Sequence, residues 1–246
     1  MDWNKYYDKE TKVLLVPPEF NEPLINLPYG VKIIIFEKKI ICSDLISKFN
    51  QPINAGSLPP TITHITFGYD FNKRINNLPH SLTHLTFGLR FNQLVDSLPN
   101  SITHLYFGPF FNRPVDSLPN SIIHLTFGIH FNQPVEKLPH SITHLIFKGH
   151  FNQPVNSLPN SLISLSFGFD FNQPANELPR TIKILKFFSG FSQPLDNLPE
   201  NLMYLSIGKN FSYPLENLPV SLQELEISSD YDNTIKVPFG CVVRRT

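Results

Sequence analysis

A period of twenty residues constrains this chain more than any other feature. Phe-Asn recurs at positions 71, 91, 111, 131, 151 and 171, continues as Phe-Ser at 191 and 211, and is preceded by Phe49-Asn50 and Phe20-Asn21. Leu-Pro keeps step with it at 27, 58, 78, 98, 118, 138, 158, 178, 198 and 218. A fixed period of this length marks a stacked-repeat chain, in which each unit is one supersecondary element packed on its neighbours. Aligned, the unit reads F-N-Q-P-V-x-S-L-P-x-S-[IL]-T-H-L-T-F-G-x-x; ten copies start between Phe20 and Phe211, and a damaged one follows from Tyr231.

Only one segment per unit has strand character, the alternation seen in Ile102-Thr103-His104-Leu105-Tyr106-Phe107. The remainder holds two prolines five residues apart, such as Pro114 and Pro119, and so excludes a regular helix. These patterns predict a β-rich solenoid with one short parallel strand per repeat, an extended or polyproline-like return path, and few or no helices. One unit cannot fold alone. Its about five large apolar side chains return roughly 1.5–3 kcal/mol each, whereas ordering its backbone costs about 1–2 kcal/mol per residue. Stacking supplies the difference, with strands pairing in parallel and each Phe packing on its copies. The chain reads as one domain: a cap over 1–19 with Trp3, Tyr6 and Tyr7 as covering residues, repeats over 20–230 with an insertion at 37–48, and a degenerate repeat and cap over 231–246. The insertion, Glu37 to Lys48, reads as a short helix or a projecting loop. Val237 to Val243 looks too thin to cover the last repeat, which leaves room for a homodimer by exchange of a terminal element.

The repeating F-N-Q-P and L-P-x-S-[IL]-T-H-L-x-F-G pattern resembles the FNIP repeat, known by its F-G-x-x-F-N signature from giant viruses and social amoebae, over about residues 13 to 240. The resemblance implies an unusual leucine-rich-repeat-like fold with a double phenylalanine spine, a buried asparagine late in the repeat, and a ladder of His or Tyr on the concave face of the sheet. Some members of that family carry an amino-terminal F-box linked to ubiquitin ligases. Only about a dozen residues precede the first repeat-like segment here, so an F-box is not expected in this chain.

Alternation of side chains along a strand sorts the recurring residues into core and surface. The spine is expected from Phe67, Phe71, Phe87, Phe91, Phe107, Phe111, Phe127, Phe131, Phe147, Phe151, Phe167 and Phe171. Asn72, Asn92, Asn112, Asn132, Asn152 and Asn172 are expected to satisfy backbone groups in the turn after the strand. Gly68, Gly88, Gly108, Gly128 and Gly168 suit a tight or positive-φ turn between the two Phe positions. The outward row is His64, His84, His104, His124 and His144, continued by Ser164, Ile184 and Tyr204; a second row runs Thr66, Thr86, Tyr106, Thr126, Ile146, Ser166 and Lys186. A straight histidine row points every ring the same way and gives no tetrahedral closure, so no metal is expected.

Function should lie where the copies disagree, because the fold constrains the positions where they agree. The most variable pair falls between Gly and Phe and supplies a candidate partner-binding rim: Tyr69, Leu89, Arg90, Phe110, Ile129, His130, His150, Phe169 and Asp170. Mixed aromatic, aliphatic and charged side chains suit binding hot spots; the competing reading is that the apolar ones tuck against neighbouring turns. Lys+Arg and Asp+Glu both number 20, so no basic footprint points to nucleic acid or an anionic membrane. Cys42 and Cys241 lie near opposite ends and read as free thiols in a reducing compartment. Neither a signal peptide nor a long apolar run is evident, so the expected location is the cytoplasm, that of the host if the chain is viral. Recurring polar groups stand as equivalents in rows, whereas catalysis needs unlike groups converging. The expectation is a non-catalytic scaffold without cofactor that binds an as yet unidentified protein through its concave face and rim; the alternative is a substrate-recognition adaptor linked to ubiquitin ligases through a separate partner.

Overall fold

The computed structural model describes residues 1–37, 39–41 and 44–246. They form two compact units, Met1–Arg113 with Ser117–Ile122, and Pro114–Asp116 with Ile123–Thr246. The sequence suggested one domain; in a stacked-repeat chain contacts are made between neighbours, so compactness is a local property and the repeat pattern carries no mark of such a division.

In the first unit a 3-10 turn (Trp3–Lys5) leads into β1 (Tyr7–Asp8), which lies antiparallel on β2 (Val13–Val16). β2 then pairs in parallel with β3 (Ile33–Phe36), β3 with β6 (His64–Thr66), β6 with β7 (His84–Thr86) and β7 with β8 (His104–Tyr106). The segment expected as a cap over 1–19 therefore already contains a repeat strand. Between β3 and β6, β4 (Lys39–Ile41) and β5 (Asp44–Ile46) form an antiparallel pair with Ile40 opposite Leu45. The described residues of the insertion thus pair as two antiparallel strands, where the sequence suggested a short helix or a projecting loop. The physical reason is local: two short runs rich in Ile and Leu lie close in sequence and can pair with each other.

The second unit is a parallel ladder of β9 (His124–Phe127), β10 (His144–Phe147), β11 (Ser164–Ser166), β12 (Ile184–Phe187), β13 (Tyr204–Ile207), β14 (Glu224–Ile227) and β15 (Val242–Arg245). Leu125, Leu145, Leu165, Leu185, Leu205 and Leu225 stand in register, and all are buried. No α-helix occurs among the described residues of either unit. Instead the Leu-Pro corner closes as a turn, with the Pro139 carbonyl accepting from the Ile142 N–H at 3.3 Å. Ser161 in the next corner donates to the Ile142 carbonyl at 2.6 Å, tying one repeat to the one before it.

The core is two columns of phenylalanine. Within a repeat the rings lie face to face, as for Phe147 and Phe151 at 3.8 Å between centroids; along the columns the spacing is 5.7 Å from Phe147 to Phe167 and 6.1 Å from Phe151 to Phe171. Phe67 and Phe71 repeat the arrangement in the first unit, at 3.8 Å. Phe111 and Phe131 are both fully buried.

Two expectations about supporting residues need correction. The asparagines do bond the backbone, since the Asn152 Oδ1 accepts from the Asn172 N–H at 2.9 Å and the Asn72 Oδ1 from the Asn92 N–H at 2.9 Å. They are not core residues, however: Asn72, Asn92 and Asn152 are half-buried, and Asn112, Asn132 and Asn172 are exposed, because the turn they serve runs along the surface. The glycines are needed for close approach. A β-carbon at Gly88 would overlap the Gly68 carbonyl, and one at Gly108 the Gly88 carbonyl, although neither residue has a positive φ. Gly149, displaced by one position in its repeat, is the exception at φ 92°.

Both ends are dressed. Trp3 is buried, packs edge-on against Phe20 at 5.0 Å and donates from Nε1 to the Ile25 carbonyl at 2.8 Å. At the other end the expected thin tail forms β15, whose Arg245 donates to the Tyr231 carbonyl at 2.7 Å and whose Arg244 meets Glu224 at 2.7 Å. Charged side chains on a terminal strand discourage edge-to-edge pairing. Cys241 is a half-buried free thiol; Cys42 lies outside the described residues.

Candidate functional site

The outward row of histidines opens five strands. His64, His84 and His104 stack at 4.1 Å between successive centroids in the first unit, and His124 and His144 stack at 4.3 Å in the second. The rings are held by their neighbours in sequence: the Nδ1 atoms of His64, His84, His104 and His144 lie 2.8 to 2.9 Å from the hydroxyls of Thr63, Thr83, Thr103 and Thr143. Each of those hydroxyls also reaches a carbonyl of the preceding repeat, Thr83 that of Thr63 at 3.1 Å. Partial burial, followed by the charge of His104, lowers the pKa of His64 below its ordinary 6.5. Tyr204 continues the row on β13 and donates to the Glu226 carboxylate. Burial first, then Glu226, pushes its phenol up to about 12, and the Lys186 ammonium lies 5.0 Å from its ring centroid.

At the rim, the structure brings some variable residues together and tucks others away. Tyr69 and Leu89 are half-buried, which favours the turn-packing reading for those two. Arg90 is exposed, pairs with Asp70 at 3.1 Å and lies 5.5 Å from the Tyr69 ring. Phe110 remains 46% exposed, Ile129 43% and Phe169 58%, far above the level of the spine. His130 and His150 approach to 5.2 Å, and the His150 Nδ1 lies 2.6 Å from the Asp170 carboxylate. Among the described residues no group of three or more His, Cys, Asp or Glu side chains could hold a metal ion. No described helix is long and apolar enough to cross a membrane.

Reading the repeat missed Phe188. Where most copies have Phe-Gly, this one has Phe187-Phe188, and that doublet was the available signal. Phe188 is 44% exposed and meets Phe169 edge-on at 5.3 Å. The pair walls a recess of about 540 Å3 whose other lining includes Lys186, Ser206, Lys209 and Glu226. A larger recess of about 720 Å3 lies among the Leu-Pro corners around Pro179 and Pro199, where polar corner residues such as Asn160 and Glu200 line it.

This geometry of stacked twenty-residue rungs can be compared with known proteins. The FNIP Repeat pattern matches residues 49–90, 91–130, 111–150, 131–170, 151–190 and 191–230, which together span most of the chain. The chain belongs to the FNIP repeat family. Among solved structures, this FNIP chain is similar to CroV588, a giant-virus protein described as a novel circular LRR protein, at 34% identity and a TM-score of 0.71. The match covers 92% of the chain and 41% of CroV588, so the FNIP chain spans about two-fifths of that protein's length. YopM from Yersinia enterocolitica is matched at 20% identity and a TM-score of 0.49, over 94% of the chain and 61% of YopM. No curated protein matches the chain in sequence. The FNIP chain is thus a leucine-rich-repeat-like scaffold with parallel strands every twenty residues or so.

Proposed function

We propose that this FNIP chain is a non-catalytic scaffold that binds a protein partner through the strand face carrying the ladders and through its rim. One observation carries the reading. Phe110, Ile129, Phe169 and Phe188 stay substantially exposed on turns fixed to a fully buried aromatic spine. Large apolar side chains held on a rigid support lose little conformational freedom on binding, as hot-spot residues do. The polar groups beside them recur as like members of rows, which suits recognition and gives no nucleophile, base and orienter at one point.

The test is affinity capture from the native cell with the intact chain beside a variant altered to Ser at Leu89, Phe110, Ile129 and Phe169. Loss of one discrete partner by the variant is expected. An identical set of captured proteins with both forms would sink the rim reading, and ubiquitin-ligase components in that identical set would point to an adaptor instead.

A further inference from the structure

Within the second unit the solvent-facing side of β11 is bare compared with its neighbours. Its two outward residues are Ser164 and Ser166, with Leu165 buried between them. In register on one side stand His144 and Ile146 of β10, and on the other Ile184 and Lys186 of β12. Adjacent strands lie about 4.8 Å apart, so these side chains form two walls separated by about 9.6 Å over a floor of serine hydroxyls. The walls are apolar on the diagonal, because Ile146 and Ile184 are 38% and 37% exposed. Phe169 stands where β11 turns away, and with Phe188 it continues the apolar surface into the neighbouring recess.

Three lysines flank this trough. Lys148 follows β10, Lys183 precedes β12 and Lys186 lies on it; all three are exposed, and none lies within ion-pair distance of a carboxylate among the described residues. The nearby carboxylates are already engaged, Asp170 by His150, Glu226 by Tyr204 and Glu224 by Arg244. Asp230 lines the neighbouring recess together with Lys186 and Glu226. We infer that the serine-floored trough over β11 seats an extended acidic segment of a partner protein, with one large apolar side chain between Ile146 and Ile184 and carboxylates reaching Lys148, Lys183 and Lys186. The width suits one extended strand. The backbone groups of β11 are taken by β10 and β12, so such a segment gains its register from alternate side chains and the serine hydroxyls, and lysines without a carboxylate partner favour acidic partners and speed their encounter. This inference rests on the scaffold reading and narrows it to one place and one partner chemistry.

The fold itself offers variants that fill the trough. Tyr106 on β8 holds the same position in its repeat as Ser166, and Tyr204 on β13 stands in the row of Ser164, so Ser166→Tyr places there a side chain that this position already carries. A displayed library of random twelve-residue segments is selected on the full chain. The enriched sequence, made as a fluorescein-labelled peptide, is titrated by anisotropy against wild type, Ser166→Tyr, Lys186→Glu, Phe110→Ala and Val220→Ala. Enrichment of Asp or Glu beside a large apolar residue is expected, with affinity at least tenfold weaker in Ser166→Tyr and in Lys186→Glu, unchanged in Val220→Ala, whose side chain is exposed on a Leu-Pro corner, and falling as salt rises. Enriched segments without acidic residues, or binding indifferent to Ser166→Tyr, would overturn the inference. So would equal competition by a single-stranded oligonucleotide. A peptide lost only on Phe110→Ala would remove the trough while sparing the scaffold reading; no enrichment on the intact chain would remove both.

Discussion

Replacing Phe151 by Ala tests whether each repeat is held by the rungs beside it. The ring is fully buried, 3.8 Å from Phe147 in its own rung and 6.1 Å from both Phe131 and Phe171 in its column. Phe-to-Ala changes in packed cores cost about 3–5 kcal/mol, and more when the surroundings cannot collapse into the gap. Collapse is restricted here, because the strand before Phe151 is hydrogen-bonded to strands on both sides and the turn after it is tied by the asparagine ladder. The upper half of that range is therefore expected. Urea unfolding followed by circular dichroism gives the loss, and hydrogen exchange read by mass spectrometry gives its location: amides of the repeats beginning at Phe131, Phe151 and Phe171 should exchange faster together. The pair Phe147→Ala and Phe151→Ala should cost less than the two single changes added, by about 0.5–1.5 kcal/mol for the stacking they share. A loss below about 1 kcal/mol, strict additivity of the pair, or acceleration confined to one repeat would refute the reasoning.

Two further outcomes follow from named contacts. Gly88→Ala should destabilise by about 1–3 kcal/mol through overlap with the Gly68 carbonyl, whereas Gly56→Asn, at φ 75° with no neighbouring atom within 4 Å of a β-carbon, should stay within about 0.5 kcal/mol; thermal midpoints in the reverse order would contradict the close-approach account. For His64, the folded pKa lies below that of the unfolded chain, so the unfolded state takes up its proton first and stability falls as pH drops below about 6.5; an unchanged acid-unfolding midpoint after changing all five ladder histidines to Gln would dispose of that link.

What could be read in advance depended on repetition. Phe147 and Phe151 were legible as core because their counterparts return in copy after copy, so that chance and local variation cancel. The strand His144–Phe147 was legible for the same reason, and its alternation gave the outward row directly. The strand pair Lys39–Ile41 and Asp44–Ile46 occurs once, and a single short apolar run does not distinguish strand from helix. Gly88 shows a different limit: a positive φ and a crowded backbone both demand the absence of a β-carbon, and only coordinates separate them. Asn172 carried its bonding role in its amide but not its exposure, which depends on how far the turn stands from the spine. The β11 trough was hidden because Ser164 and Ser166 look like ordinary polar substitutions until His144, Ile146, Ile184 and Lys186 are seen standing on either side.

The hydroxyls beside the histidine row have a consequence for recognition. Each of Thr63, Thr83, Thr103 and Thr143 has one proton and two acceptor positions in reach, an imidazole nitrogen and a carbonyl of the repeat before. If Thr83 gives its proton to the carbonyl, neutral His84 must carry its own on Nδ1, and Nε2 is an acceptor; if Thr83 gives it to His84, Nε2 becomes a donor. Rotating four hydroxyls therefore inverts the hydrogen-bonding polarity of four rings while backbone and ring planes stay in place. His124 follows Ile123 and lacks that relay, which leaves one rung whose tautomer is set by other means. A visitor rich in donors and one rich in acceptors can thus each find a matching edge on the same rings.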